Sequence, residues 1–319
     1  MVKKLQKLPA GLFLVPMIVS MIVYTIAPNL MMTGGMVQSL FSGEGVGFIV
    51  AALTFYSGTS LNFKRLIRIL KRHGVILVTK GIVSVTLSLL YIKFFGQSGI
   101  LGVPALAFVV AISSVNPAVY MTTVDVYGND DDPAAYGLTG LFSLPLFPII
   151  VFSIVAGSAG GGMDWTPVFT TLIPLVAGMI LGNIDTDFAA VFTPGIGAIL
   201  PLLGWNLGQG MNLVEALKAG GSGLVLLVMF YVLNYYVFIL DNKILKHDGI
   251  VALGLWNVAG VSTSTPAVII GLYPALVGQY GSAAISQVLL VCVITSVLTP
   301  LITQYQYKRY YGKLPELEI

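Results

Sequence analysis

Apolar residues run along this chain in stretches of about 20, the length that an α-helix needs to cross the hydrocarbon core of a bilayer. Short polar segments separate these stretches, so the pattern predicts a series of membrane-spanning helices. We predict about ten spans, half of them in each half of the chain. The predicted spans cover roughly 9–27, 45–62, 74–95, 99–126, 134–157, 167–183, 195–212, 220–240, 250–273 and 281–304.

Composition agrees with a polytopic, all-α membrane protein embedded in a lipid bilayer. Of the 319 residues, 56% are hydrophobic and only 9% are charged, whereas soluble domains carry about 25% charged residues. The net charge of +3 comes from basic residues in the predicted loops, so we expect no nucleic-acid partner. Cys292 is the only cysteine, which excludes a disulfide framework and a cysteine-based metal site.

The distribution of lysine and arginine predicts the orientation of the spans. If the N-terminus lies in the cytoplasm, thirteen of the sixteen basic residues fall on the cytoplasmic side, as the positive-inside rule requires. Lys93 and Lys218 fall outside, and Lys80 lies within a span. We therefore expect a multi-pass protein of a bacterial cytoplasmic membrane with both termini in the cytoplasm.

Two predicted spans carry a proline after a polar cluster. In the first, Pro117 follows Ser113, Ser114 and Asn116. Proline removes a backbone donor and clashes with the preceding turn, so it interrupts or kinks the helix. In the second, Pro266 lies 149 residues further on. The polar cluster and glycine before it are Gly260, Ser262, Thr263, Ser264 and Thr265.

A matched pair of interrupted helices is typical of the substrate site of a secondary transporter. The alternative is a plain proline kink, which many membrane helices tolerate. Other weak matches recur in the same order in both halves, so we predict two repeats, residues 1–160 and 161–319. Because each repeat has an odd number of spans, the second is inverted relative to the first. The matching segments are 15–18 with 173–176, 58–62 with 208–212, and 146–148 with 298–300.

The chemistry of the interruptions favours a small anion. Freed helix N-termini attract anions, and freed carbonyls attract cations. The serine, threonine and asparagine side chains add neutral donors and acceptors suited to a hydroxylated solute. The alternative is that these hydroxyls only satisfy their own helix backbones.

Few charged residues accompany these interruptions. Lys80 either contacts the anion or coupling ion, or extends its ammonium to the interface. Asp125 is the carboxylate nearest the first interruption and is expected at a cytoplasmic helix end. His73 and His247 neighbour charged residues, and we interpret them as solvated loop histidines. No phosphate-binding GxxxxGK[ST] motif occurs, which argues against an ATP-driven pump; we expect no cofactor.

Several of these segments resemble the 2-keto-3-deoxygluconate permease family, which is grouped with bile-acid sodium symporters. The resemblance implies a proton-linked importer of a sugar acid with ten helices, two of them broken and crossing. By the match, the site would include Ser113, Asn116, Tyr120, Gly260 and Thr265. The segments that carry the resemblance are 8–11, 77–81, 113–120, 174–183, 208–213 and 265–266.

One departure from the family pattern bears on coupling. Leu144 stands where the family carries a carboxylate in the fifth span, so the proton carrier would be Asp125 or Lys80. Transport should therefore depend less on a proton gradient than the family pattern implies. A sodium-coupled or uncoupled transporter of the same fold is the alternative, and a homodimer is compatible with either. A membrane enzyme or receptor would need a catalytic cluster, and we find none in the sequence.

Overall fold

The structure is a computed structural model that describes residues 11–59, 61, 63–129, 132, 136–158, 165–209 and 220–312. Within these ranges the chain forms helices and no β-strand. The helices before residue 160 are α1 (Gly11–Ile26), α2 (Gly35–Phe41), α3 (Val46–Thr59), α4 (Phe63–Phe95), α5 (Ala105–Ser113), α6 (Pro117–Tyr127), α7 (Tyr136–Ser143) and α8 (Leu146–Ala156).

The described residues of the second half are also helical. They include a π-helical turn at Leu240–Ile244 and 3-10 turns at Val261–Ser264 and Gly278–Tyr280. A further 3-10 turn, Gly43–Gly45, precedes α3. The helices after residue 160 are α9 (Thr166–Ile184), α10 (Thr186–Phe192), α11 (Gly195–Gln209), α12 (Gly220–Ile239), α13 (Ile250–Gly254), α14 (Thr265–Leu272), α15 (Pro274–Val277) and α16 (Gly281–Tyr311).

The described part of each predicted span lies on one helix or on two consecutive helices. By length and composition, four segments of the described chain could cross a membrane unaided, and several shorter apolar helices accompany them. The four segments are His73–Phe95, Thr186–Asn206, Gly220–Ile244 and Pro274–Tyr311.

Packing divides the helices into two groups. In the first, α1 packs along α11 and α3 packs along α9. In the second, α4, α12 and α16 surround α5, and every residue of α5 is buried. A helix that is apolar on all sides is stable only when neighbours cover all of them, so α5 lies at the centre of this second group.

Glycines let the helices of the first group approach closely. A β-carbon at Gly58 in α3 would collide with the backbone of Leu175 and Met179 in α9. A β-carbon at Gly208 in α11 would collide with the backbone of Met17 and Met21 in α1. Small residues at such contacts allow the backbones to meet, which is how membrane helices gain van der Waals contact.

The interpretation of His73 as a solvated loop histidine is wrong. His73 lies within α4, its side chain is only 2% exposed, and its Nε2 lies 3.2 Å from Oδ1 of the buried Asp132. His247 does lie outside the regular helices, and its side chain is 42% exposed.

Candidate functional site

The first interruption lies where the proline predicts it. Helix α5 ends at Ser113, Ser114 is extended, and α6 begins at Pro117. Proline disfavours helical geometry in the residue before it and is well tolerated at the first position of a helix. Residues 114–116 therefore form a short non-helical bridge between two half-helices.

The second interruption lies earlier than the sequence predicts. Helix α13 ends at Gly254, and helical structure resumes only with the 3-10 turn that starts at Val261. Thr265 and Pro266 are the first two residues of α14. Proline at the start of a helix lacks only an N–H that would have no partner there, so Pro266 starts this half-helix instead of breaking it.

The two interruptions contact one another, and we call residues 114–116 and 257–262 the crossing. Ser114 Oγ lies 2.7 Å from Ser262 Oγ and accepts a hydrogen bond from Ala259 N at 2.9 Å. Asn116 N donates to Oδ1 of Asn257. Side chains of each interruption thus satisfy backbone donors of the other, as buried backbone groups require.

The end of α7 adds a third segment to the crossing. Ser262 Oγ donates to the carbonyl of Ser143 at 3.2 Å, and Val115 N donates to the carbonyl of Phe142 at 3.3 Å. Leu144, the next residue, packs in an apolar cluster with Leu175. The position at which the resemblance implies a carboxylate is therefore apolar in this chain.

Lys80 reaches the end of α5 from α4. Its side chain is fully buried, and Nζ donates to Oδ1 of Asn234 at 2.8 Å and to the carbonyl of Ile112 at 3.5 Å. Ser84 Oγ donates to the same carbonyl at 3.1 Å. A cation here complements the negative end of the α5 dipole. The side chain of Lys80 does not reach the protein surface, and no carboxylate of the described residues pairs with it.

Three of the predicted hydroxyls bond back to their own turns. Ser113 donates to the carbonyl of Val109 at 2.7 Å, Thr263 to that of Gly260 at 2.7 Å, and Ser264 to that of Val261 at 2.6 Å. This is the local satisfaction that serine and threonine commonly provide in helices. Thr265 is buried at the start of α14.

The other predicted residues differ in their positions. Asn116 caps α6, because its Oδ1 accepts from Val119 N at 3.4 Å. Tyr120 is fully buried and donates to the carbonyl of Asp132 at 2.9 Å, so its hydroxyl is bonded outside the crossing. Asp125 belongs to α6, but its side chain lies outside the described part of the structure.

Sequence reasoning missed four polar residues that support the crossing. Asn257 Nδ2 donates to the carbonyl of Gly254 at 2.7 Å, Thr295 Oγ1 accepts from Val258 N at 3.0 Å, and Thr299 donates to the carbonyl of Trp256. Asn234, also missed, holds Lys80. One signal was present, since Asn116-Pro-Ala and Asn257-Val-Ala share an Asn-x-Ala pattern within apolar stretches.

Comparison with known proteins identifies the family. The profile of the 2-keto-3-deoxygluconate permease family matches residues 2–312. The chain is 28% identical to 2-keto-3-deoxygluconate permease 1 of Salmonella typhimurium over 96% of this chain and 95% of that protein. It is 29% identical to the 2-keto-3-deoxygluconate permease of Xanthomonas oryzae over 95% of this chain and 96% of that protein.

A third relative, the 2-keto-3-deoxygluconate permease of Escherichia coli K12, is 25% identical over 99% of this chain and 97% of that protein. These matches, together with the apolar helices, indicate a multi-pass membrane transporter and not an enzyme. The family resemblance inferred from the sequence motifs is confirmed, and the chain belongs to the 2-keto-3-deoxygluconate permease family.

Proposed function

We propose that this protein is a secondary active transporter that imports 2-keto-3-deoxygluconate, or a related small sugar acid, together with protons. The observation that carries the proposal is Lys80, a fully buried cation beside the crossing with no carboxylate partner among the described residues. A charge inside a membrane span is costly and is rarely retained without a function. The carboxylate of the substrate would supply the opposite charge.

The crossing offers the remaining chemistry that a sugar acid needs. The N-termini of α6 and of the turn at Val261 carry partial positive charge and meet within it. Asn116, Ser114 and Ser262 supply amide and hydroxyl groups beside those termini. The relatives named above are called permeases of 2-keto-3-deoxygluconate, an acid that carries a carboxylate and several hydroxyls.

Reciprocal packing supports two inverted repeats. Under the repeat alignment, Gly58 corresponds to Gly208, and Met17 corresponds to Leu175. Gly58 contacts Leu175, and Gly208 contacts Met17. Such an exchange of partners is what a pseudo-two-fold axis between residues 1–160 and 161–319 would produce. Inverted repeats of this kind underlie alternating access, in which one helix group moves against the other.

The position of Lys80 favours protons over sodium as the coupling ion. In transporters with broken helices, freed carbonyls at half-helix C-termini coordinate sodium. At the C-terminus of α5, Lys80 already donates to such a carbonyl, that of Ile112. A second cation at that position would meet the ammonium at close range, where repulsion in a low dielectric is strong.

One cavity supports the proposed orientation of the chain in the membrane. Its lining includes His73, Asn129, Asp248 and Tyr311. They come from the N-terminal third of α4, the segment after α6, the segment after α12 and the end of α16. The lysine and arginine distribution assigns all four segments to the cytoplasmic side. Their convergence supports a common side for them, and with it cytoplasmic termini.

Uptake by purified protein in liposomes tests the function. Vesicles would receive labelled 2-keto-3-deoxygluconate under an inward proton gradient, an inward sodium gradient, or no gradient, and protein-free vesicles serve as the control. We expect accumulation with the proton gradient and competition by unlabelled sugar acids but not by neutral sugars. Accumulation that needs sodium, or equal competition by neutral sugars, would contradict the proposal.

A further inference from the structure

A buried histidine–carboxylate pair lies away from the crossing. Nε2 of His73 in α4 lies 3.2 Å from Oδ1 of Asp132, which belongs to the segment between α6 and α7. The two side chains are 2% and 1% exposed. Asp132 Oδ2 also accepts from Asn129 N at 2.8 Å, which fixes the carboxylate in place. Histidine is the side chain that most readily gains and loses a proton near neutral pH.

The pair adjoins a cavity that reaches the surface. The cavity has a volume of about 200 Å³, and its lining includes His73 and Asp132 together with the exposed residues His247 and Tyr310. Because a water occupies about 30 Å³ of liquid, this space can hold several. Both ring nitrogens of His73 are buried, and neither has a hydrogen-bond partner among the described residues. A water in the cavity could exchange a proton with this pair.

Asp132 is also connected to both interrupted helices. Its backbone carbonyl accepts a hydrogen bond from the hydroxyl of Tyr120 in α6 at 2.9 Å. The ring of Tyr120 lies against Gly254, the last residue of α13, where a β-carbon would lie 3.0 Å from the ring. Through Tyr120, the His73–Asp132 pair is therefore connected to a half-helix on each side of the crossing.

Other titratable groups face the same cavity. His247 pairs with the buried Asp241 at 2.7 Å, and Asp248 accepts from the hydroxyl of Tyr311 at 2.8 Å. Tyr310 completes this set. Of these groups, His247 is 42% exposed. Of the two histidine–carboxylate pairs, only His73–Asp132 has both side chains buried. It is also the pair that is hydrogen-bonded to α6, through Tyr120.

We propose that the His73–Asp132 pair is the site from which the coupled proton leaves to the cytoplasm. The inference rests on the proposed function. It assigns the coupled proton to His73 and Asp132 instead of Asp125 or Lys80. With the proton bound, an imidazolium–carboxylate ion pair holds α4 against Asp132, whose carbonyl accepts from Tyr120. Loss of the proton to cavity water leaves a neutral imidazole, removes the charge attraction and frees α6 to move. The proton passes from His73 to water, and no other bond breaks.

Full-length protein in proteoliposomes tests the site with two assays. Counterflow of labelled 2-keto-3-deoxygluconate measures substrate exchange without net proton movement, and accumulation under a proton gradient measures coupling. We expect His73→Gln and Asp132→Asn to retain counterflow while accumulation falls to the level without a gradient. His247→Gln is the matched control, because it changes a histidine–aspartate pair at the same cavity and should retain both activities.

The outcomes separate this inference from the proposed function. Absence of counterflow in the wild-type protein contradicts the proposed function itself. Wild-type counterflow with accumulation that ignores the proton gradient, or normal accumulation by His73→Gln, overturns the proton site alone. Parallel loss of both activities in His73→Gln and Asp132→Asn, with substrate-induced thermal stabilisation intact, also overturns it. If one variant fails to fold, the other carries the same prediction.

Discussion

Lys80 Nζ donates to Oδ1 of Asn234 at 2.8 Å, which joins α4 to α12 beside the end of α5. Both side chains are fully buried. Asn234 is itself held by α12, because its Nδ2 donates to the carbonyl of Phe230 at 2.9 Å. The amide thus presents a fixed acceptor, and the ammonium is positioned without a carboxylate.

This arrangement predicts that the charge of Lys80 matters for anion binding. Lys80→Met keeps the length of the side chain and removes the charge, so we expect affinity for 2-keto-3-deoxygluconate to fall at least about tenfold, or ~1.4 kcal/mol. Lys80→Arg should lose less. Equilibrium binding to purified protein measures the effect. Lys93→Met, on the exposed surface of the same helix, is the control, and equal losses in it and in Lys80→Met would contradict the assignment.

Coupling to sodium is predicted to be absent. Because Lys80 donates to the carbonyl of Ile112, its ammonium group occupies the position at the C-terminus of α5 where a sodium ion would bind. Replacing external sodium by potassium at constant pH and membrane potential should leave the initial uptake rate unchanged. A rate that rises with sodium and saturates would show that a sodium site exists despite the lysine.

The glycine contacts predict a pattern of stability losses. Gly208→Ala would force a β-carbon into the backbone of Met17, and Gly58→Ala would do the same at Leu175. We expect each to destabilise the protein by about 1–3 kcal/mol, the usual effect of overpacking. Thermal unfolding in detergent measures this.

Gly197 provides a matched control for those variants. It lies on the same helix as Gly208, and a β-carbon there has open space around it. Gly197→Ala should therefore be neutral or slightly stabilising, because alanine favours the helix more than glycine does. Unfolding temperatures that fail to distinguish Gly208→Ala from Gly197→Ala would mean that the close approach of α1 and α11 is not as described.

The helices were predictable from the sequence because a membrane span needs a long apolar run, and such runs are visible without knowing the fold. The first interruption was predictable for a similar reason, since Pro117 acts on its immediate neighbours. The second was misplaced by several residues. Proline is disruptive within a helix but favourable at its start, and the sequence alone does not distinguish these cases for Pro266.

The partners across the crossing were not predictable. Asn257 meets Asn116 from 141 residues away, and Asn234 meets Lys80 from 154 residues away. No local pattern encodes such separations.

The environment of His73 was predicted wrongly, because charged neighbours such as Lys71 and Arg72 suggest a solvated loop. In the structure His73 is buried beside Asp132, a residue 59 positions further along the chain.

Asn116 provides the most direct test of substrate binding at the crossing. Its side chain caps α6 at the crossing, so Asn116→Ala should lower the unfolding temperature whatever else it does. Substrate contact adds a second effect, since an amide offers donors and an acceptor to a hydroxylated anion. Thr265→Val is the matched control. Thr265 is buried at the start of α14, and we expect its hydroxyl to hydrogen-bond the helix backbone and not the substrate.

The measurement is the rise in unfolding temperature that 2-keto-3-deoxygluconate causes in detergent-purified wild type, Asn116→Ala and Thr265→Val. We predict a clear rise for the wild type and Thr265→Val, and a much smaller rise for Asn116→Ala, across the same range of substrate concentrations. If Asn116→Ala unfolds more readily but shows the full wild-type rise, then substrate does not bind Asn116 at the crossing and the central claim is wrong.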